Sequence, residues 1–254
     1  MPDMDIITPI AITSFGYLPD GREVHDYILS NKNGISVSIL NYGGIIKSIN
    51  TPDRYGKFDD ILLGYNNLDG YLKDKTYMGA VIGRYSNRIA SATINIDGIN
   101  YPISRNDGSN NLHGGINGFN KVLWNTEIIE DRECSGLKLH HISHDGDQGF
   151  PGELYVTAIY KLNDDNELSI DLAATTNQKT VVSLTVHPYI NLGDHRHDNI
   201  NNHHLMIRSN KYLPLGENMI PTGEMRQVEY TPFDFRKMRS IGSMLNNSNE
   251  QLNT

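Results

Sequence analysis

Apolar and polar residues alternate with a period of two in segment after segment, and no helical i, i+3, i+4, i+7 stripe of comparable length occurs, which restricts this chain to β architectures. Ile35-Ser-Val-Ser-Ile39 alternates and runs into Asn41-Tyr-Gly-Gly44, where paired glycines permit a bend or a close backbone approach. Thr93-Ile-Asn-Ile-Asp-Gly-Ile-Asn-Tyr-Pro-Ile103 reads as a hairpin. Its two-residue turn, Asp97-Gly98, sets Ile94 and Ile96 on the same face as Ile99, Tyr101 and Ile103, and Pro102 marks an edge strand or its end. A second hairpin joins residues 153–162 to 167–174 across the polar turn Asn163-Asp-Asp-Asn166. The apolar run Thr180-Val-Val-Ser-Leu-Thr-Val186 reads as a further strand, ending on His187 and Pro188.

The 254 residues, 38% hydrophobic, suffice for a single all-β domain, and no repeat, linker or low-complexity tract divides them. Residues 244–254 form a polar tail with no strand pattern, expected to fray. With 22 Lys and Arg against 30 Asp and Glu, a net charge of -8, the chain has no basic stripe to neutralise phosphates, so nucleic acid and anionic membranes are not expected partners. Its one cysteine, Cys134, cannot close an internal disulfide and has no cation beside it in sequence to favour a thiolate. The N-terminal residues lack an export signal and no apolar run reaches membrane-spanning length, so the expected setting is cytoplasmic.

Long stretches rich in Gly, Asn and Asp separate the strands at 105–118, 144–152 and 193–204, and loops of that length in a compact domain often carry function. Three clusters offer side chains for hydrogen-bonding hydroxyl groups or moving protons: Gly83-Arg-Tyr-Ser-Asn-Arg-Ile89, Asn110-Asn-Leu-His-Gly-Gly115 and Val186-His-Pro-Tyr-Ile-Asn-Leu192. Each also has a purely structural reading. Arg84 or Arg88 can pair with a carboxylate, His113 can sit in an ordinary turn, and His187 can be a hydrogen-bonded core histidine. Asp145-Gly-Asp-Gln-Gly149 opens like a calcium loop, but Phe150 stands where glycine is required and Val156 where glutamate is required. His195, His197, His203 and His204 match no closed zinc spacing, and neither a phosphate-binding glycine signature nor a Gly-x-Ser-x-Gly elbow is present. No metal and no cofactor are expected.

Taken together and in order, these clusters resemble the aldose 1-epimerase (galactose mutarotase) family. The matching stretches are NYGG at Asn41, GRYSNRI at Gly83, NNLHGG at Asn110, DGDQGFPG at Asp145, TVHPYINL at Thr185, YLPLGENMIPTGE at Tyr212 and TPFDFR at Thr231. The resemblance implies a large antiparallel β-sandwich of the supersandwich type. It also implies a cofactor-free interconversion of the α and β anomers of free aldoses such as galactose and glucose. Carried residue by residue, it makes His187 the general acid toward the ring oxygen. His113 becomes the second active-site histidine, hydrogen-bonded to the sugar, Asn87 and Arg88 the sugar-binding pair, and Tyr189 a wall of the pocket. The partner is a small-molecule aldose; nothing in the sequence speaks to oligomeric state.

The match stops short of the family's full pattern. Family members continue beyond the TPFDFR region into a glycine-aromatic-Asp-His segment and then to a late glutamate that serves as general base, and these 254 residues contain neither motif. Glu250 stands in the polar tail, and the base is not carried onto it. The fold is therefore expected to be C-terminally incomplete and these residues alone to turn over slowly, with a sugar-binding relative of impaired catalysis as the alternative. The related hexose-6-phosphate 1-epimerases call for extra cations around the pocket.

Overall fold

The alternating segments become sheets in the order in which the chain presents them. The structure, a computed structural model, describes residues 10–130, 134–193, 199–245 and 249–252. The chain divides into two compact units, Met1–Ile190 and Asn191–Thr254. The division has no mark in the sequence, since no linker or composition shift separates Ile190 from Asn191.

In the first unit, β1 (Ala11–Tyr17), β2 (Glu23–Ser30), β3 (Ser36–Leu40), β4 (Ile46–Pro52) and β5 (Phe58–Asp60) form an antiparallel sheet in sequence order. The short helix α1 (Leu68–Lys73) follows, and its N-cap Asn67 accepts the Gly70 N–H at 2.9 Å. Four short strands come next: β6 (Val81–Ile82), β7 (Arg88–Ile89), and the paired β8 (Thr93–Ile96) and β9 (Ile99–Pro102). After β10 (Asn111–Leu112), a second antiparallel sheet comprises β11 (Asn125–Glu130), β12 (Cys134–Ser143), β13 (Leu154–Asn163) and β14 (Leu168–Thr176), and β15 (Thr185–Val186) closes the set.

The two large sheets form an all-β sandwich by burying one face each against the other. Leu29, Val37 and Ile39 from the first sheet and Leu137, Leu139, Leu154, Val156 and Tyr160 from the second belong to one continuous core, all fully buried. Burying a Leu, Ile or Val side chain contributes roughly 1.5–3 kcal/mol, so this seam is the main source of the unit's stability. The buried Tyr160 hydroxyl donates to the Gly44 carbonyl at 2.7 Å, which removes the cost of burying it unpaired. Gly43 and Gly44, both left-handed, provide the bend expected of the paired glycines.

Both hairpins form as the turn chemistry predicts. Asp97 (φ 52°) and Gly98 (φ 84°) make the left-handed two-residue turn, and Ile94 faces Tyr101 while Ile96 faces Ile99. β9 ends at Pro102 in a two-stranded sheet, as a residue without a backbone donor dictates. β13 alternates buried and more exposed positions along its whole length and pairs with β14 from Leu154 opposite Thr176 to Leu162 opposite Leu168.

The second unit holds β16 (His204–Leu205), β17 (Lys211–Tyr212), β18 (Arg226–Gln227), β19 (Arg239–Ser240) and the helical turn α2 (Gly242–Leu245). β16 pairs with β19 and β17 with β18, and the Tyr212 and Phe233 rings lie 4.6 Å apart. Within the polar segment expected to fray, Gln251 is tied down: its amide accepts the Leu215 N–H at 2.7 Å and donates to the Leu215 carbonyl at 2.9 Å, copying the pairing of a strand. Residues 246–248 and 253–254 of that tail lie outside the described residues.

Candidate active site

The TVHPYINL stretch is held by a narrow ladder. Thr185 pairs with Ile82 and Val186 with Val81. The ladder runs on past the last assigned strand residue, because the His187 N–H donates to the Ala80 carbonyl and the Gly79 N–H to the His187 carbonyl, both at 2.9 Å. Leu63 then donates to the Tyr189 carbonyl at 3.0 Å. Pro188, which has no N–H, falls between these anchored residues. The rings of His187 and Tyr189 lie on the same side, with centroids 5.2 Å apart. The expected strand over 180–186 is shorter than its apolar run, with only Thr185 and Val186 in ladder pairing. Upstream, Ser183 instead forms a parallel bridge to Tyr85 and donates its N–H to the Arg84 carbonyl, so the run changes pairing mode partway.

A second short ladder brings in the other two clusters. β7 and β10 pair Ile89 with Asn111 and Arg88 with Leu112. One residue further, the His113 N–H donates to the Asn87 carbonyl at 3.1 Å and the Asn87 N–H returns a 3.0 Å bond to His113 Nδ1. Asn87 (φ 64°) and His113 (φ 54°) both adopt left-handed backbone, a conformation that costs a residue with a side chain on the order of 1–3 kcal/mol and that clusters at functional sites. Gly114 explains the turn that follows: a β-carbon there meets the Gly83 carbonyl oxygen at 1.8 Å, so only glycine fits.

These ladders bring the two histidines together. Their ring centroids are 5.4 Å apart with planes at 85°. His113 accepts at Nδ1, so its neutral ring carries the proton on Nε2 and offers a donor there. Burial, helped by the neighbouring His187 and Arg88 and opposed by Asp107, pushes the His113 pKa down to about 4. His113 is therefore an uncharged hydrogen-bond donor at neutral pH. His187 is half-buried, and the exposed Tyr189 phenol donates to the Thr76 carbonyl at 3.0 Å.

The two arginines of GRYSNRI separate in role. The Arg88 Nε donates to Asp107 Oδ2 at 2.7 Å, and Asn87 Oδ1 accepts from the Arg88 backbone N–H at 2.9 Å. The amide Nδ2 at the opposite corner of Asn87, an exposed residue, supplies two donors beside His113. Arg84 is buried away from these groups, only 2% exposed, and gives its guanidinium donors to the Ser143 hydroxyl and to the carbonyls of Ser143, His144 and Pro151. It is a strut for the loop 143–151, held by carbonyls where a carboxylate partner is the usual expectation.

All five expected site residues thus lie in the first unit: His113, His187 and Tyr189 within ring-contact distances, and Asn87 and Arg88 beside His113. Three contributors escape sequence reasoning. Tyr77 packs edge-on against His113 at 4.6 Å, Asp107 orients Arg88, and Asp74 shapes the loop carrying Tyr77. Asp74-Lys-Thr76 and Asp107-Gly108 do carry turn chemistry, but turn residues name no tertiary partner. Among the described residues no group of three or more His, Cys, Asp or Glu is placed to hold a metal ion, and none of their helices is long and apolar enough to cross a membrane. His203 Nε2 accepts the Leu192 N–H at 2.7 Å, while His195 and His197 lie outside the described residues.

With this geometry in view, the sequence profile described as aldose 1-epimerase matches residues 25–253. The chain is 41% identical over 231 residues to the galactose mutarotase of Homo sapiens, covering 91% of this chain and 66% of that protein. It is 38% identical over 225 residues to the aldose 1-epimerase of Escherichia coli K12, covering 89% and 64%. Among solved structures, galactose 1-epimerase from Lactobacillus acidophilus superposes with a TM-score of 0.87 at 27% identity, over 96% of this chain and 70% of that one. An aldose epimerase homologue from C. elegans gives 0.80 at 28% identity. The chain spans a little under two thirds of the length of these curated relatives.

Proposed function

We propose a function for this chain from the premise that it belongs to the aldose 1-epimerase family: it interconverts the α and β anomers of free hexoses, galactose and glucose among them, by acid–base opening and closing of the pyranose ring. The observation that carries the reading is the facing pair His113 and His187, 5.4 Å apart, flanked by the donors of Asn87 and Arg88.

His187 supplies the proton. As the bond between the anomeric carbon and the ring oxygen breaks, its ring N–H protonates that oxygen while a base takes the proton of the anomeric hydroxyl, leaving the open-chain aldehyde. Rotation about the bond from the first to the second sugar carbon presents the other carbonyl face. Closure returns both protons, so the protein ends as it began. His113, neutral by its surroundings, donates a hydrogen bond from Nε2 toward the ring oxygen and steadies the opened form. Asn87 and Arg88 hold hydroxyl oxygens, and Tyr189 walls the sugar. By resemblance the base is a late glutamate for which these 254 residues offer no matching motif, so this chain's own side chains take the acid and hydrogen-bonding roles. Free sugars rather than sugar phosphates suit a site where, among the described residues, the arginine acting on His113 is Arg88, already engaged with Asp107. A cytoplasmic setting is part of the reading, supported by a sequence with a single cysteine.

Polarimetry of freshly dissolved α-galactose, with the protein expressed from its full reading frame, tests the proposal. The approach to the equilibrium rotation should quicken in proportion to protein concentration. A rate equal to that of buffer, from protein that is folded by circular dichroism, would overturn it.

A further inference from the structure

Tyr77 belongs to neither of the ladders that carry the two histidines, yet its ring meets both. The centroid lies 4.6 Å from that of His113 with planes at 69°, and 6.3 Å from that of His187 with planes at 35°. The backbone at Tyr77 is left-handed, φ 60°, an unfavourable conformation for a bulky residue that persists only when its surroundings hold it.

Those surroundings are specific. The Asp74 carboxylate accepts the N–H groups of Thr76 and Met78, each at 3.0 Å, and the Thr76 hydroxyl at 2.6 Å, so the residues on either side of Tyr77 hang from one side chain. The Tyr77 carbonyl accepts the Ala80 N–H at 3.1 Å, and the next donor back, Gly79 N–H, pairs with the His187 carbonyl. At the far end, Asn106 Nδ2 reaches the Tyr77 hydroxyl at 3.4 Å and the Leu112 carbonyl at 2.8 Å, while Asn106 Oδ1 accepts the Leu112 N–H at 2.7 Å. Leu112 directly precedes His113. One end of Tyr77 is therefore tied to the His187 ladder and the other to the His113 ladder.

We propose that Tyr77 is a positioning residue: its ring is a wedge that sets the spacing of His113 and His187 and shields His113 from water. This rests on the pairing of His113 with His187 in the proposed reaction. Burial is the largest cause of the low His113 pKa, and the Tyr77 ring covers part of that imidazole. The other groups acting on His113 are His187 and Arg88, which lower its pKa further, and Asp107, which raises it. On the Tyr77 side Asp74 is the nearby carboxylate, itself held low in pKa because the hydrogen bonds from Thr76, Met78 and Tyr65 outweigh its burial. With the wedge gone, water reaches His113 and the largest of these effects weakens.

Titration of the histidine ring protons by NMR in Tyr77→Leu and Tyr77→Phe tests this, alongside polarimetric kcat and KM. Tyr77→Leu should move the His113 midpoint from about 4 toward the 6.5 of an open imidazole. It should also lower kcat on the order of tenfold while changing KM by less than about threefold, since misplaced catalytic groups cost turnover first. Tyr77→Phe keeps the ring and should restore both. An unmoved His113 titration in folded Tyr77→Leu, or an undiminished kcat, overturns the wedge. Should Tyr77→Leu fail to fold, the unaltered protein still decides: a nuclear Overhauser contact between the Tyr77 and His113 ring protons is required, and its absence overturns the assignment. Because the titration needs no turnover, absence of mutarotation in every variant and in the unaltered protein would remove the activity while leaving the role of Tyr77 to be judged on its own readout.

Discussion

The backbone N–H of Asn87 donates to Nδ1 of His113 at 3.0 Å, and this single bond fixes which end of the imidazole faces outward with a proton. A ring that accepts at Nδ1 must donate at Nε2, and protonating Nδ1 would set two donors against each other. Nitrogen-detected NMR of ring-labelled protein should therefore find His113 as the Nε2–H tautomer across the neutral range, with no charged form until the pH nears 4. A Nδ1–H tautomer at pH 7 would contradict the assignment.

The same depressed pKa makes folding stability depend on pH, and its sign follows from linkage. His113 titrates near 4 when folded and near 6.5 when unfolded, so between those values the unfolded chain binds more protons. Stability contributed by this group is complete above about 6.5 and is lost as pH falls toward 4. The ring is only partly buried, so solvent screening discounts the effect to on the order of 1–2 kcal/mol. Urea unfolding at pH 7.5 and pH 5 should show a lower midpoint at pH 5, and His113→Gln should flatten that difference.

His187→Asn keeps a polar side chain on the ladder and removes the imidazole that serves as proton donor. Polarimetric kcat should fall by about 10²–10⁴, the usual contribution of a general acid, while KM for galactose changes little. A change confined to KM would assign His187 to binding alone.

Much of this was legible because it is local. The turn Asp97-Gly98 fixes its own hairpin register, and the alternation of β13 declares a half-buried strand without reference to the rest of the fold. The site is different. β7 and β10 are two residues each, too short to show any period, so nothing in the sequence predicts that Arg88 lies opposite Leu112 or that Asn87 bonds His113 across a separation of 26 residues. The resemblance supplied Asn87, Arg88, His113, His187 and Tyr189 as candidates, whereas Tyr77 and Asp107 act through tertiary placement and carry no motif of their own. Arg84 shows the converse: the same short motif holds a second arginine whose burial beneath the loop 143–151 is invisible until the chain is folded.

Asp107 is the carboxylate that aims Arg88, through a 2.7 Å bond to Nε, with the Arg88 side chain 17% exposed. Asp107→Ala should free that side chain to sample other rotamers while leaving both histidines on their ladders. The expected result is a galactose KM raised about tenfold, equivalent to about 1.4 kcal/mol, with kcat reduced less. Asp107→Asn, which retains an acceptor for Nε, should fall between. Equal losses of kcat in both variants would place Asp107 closer to the chemistry than its geometry indicates.

Arg84 offers the clearest stability test. Replacing it with methionine keeps most of the buried volume but removes its donors to the carbonyls of Ser143, His144 and Pro151; the His144 carbonyl keeps the Asp147 N–H at 3.0 Å, and each buried acceptor left unpaired costs about 1–3 kcal/mol. Some of that loss is offset because burial already disfavours the guanidinium charge, pulling the Arg84 pKa down. The net destabilisation should be on the order of 3 kcal/mol, lowering Tm by roughly 6–12 °C for a unit of this size. Arg84→Lys retains the charge yet cannot reach all of these acceptors with one ammonium, so it should recover only part of the loss. Scanning calorimetry with the two variants decides between this strut and a dispensable side chain, because methionine at or above the stability of the unaltered protein is incompatible with the former.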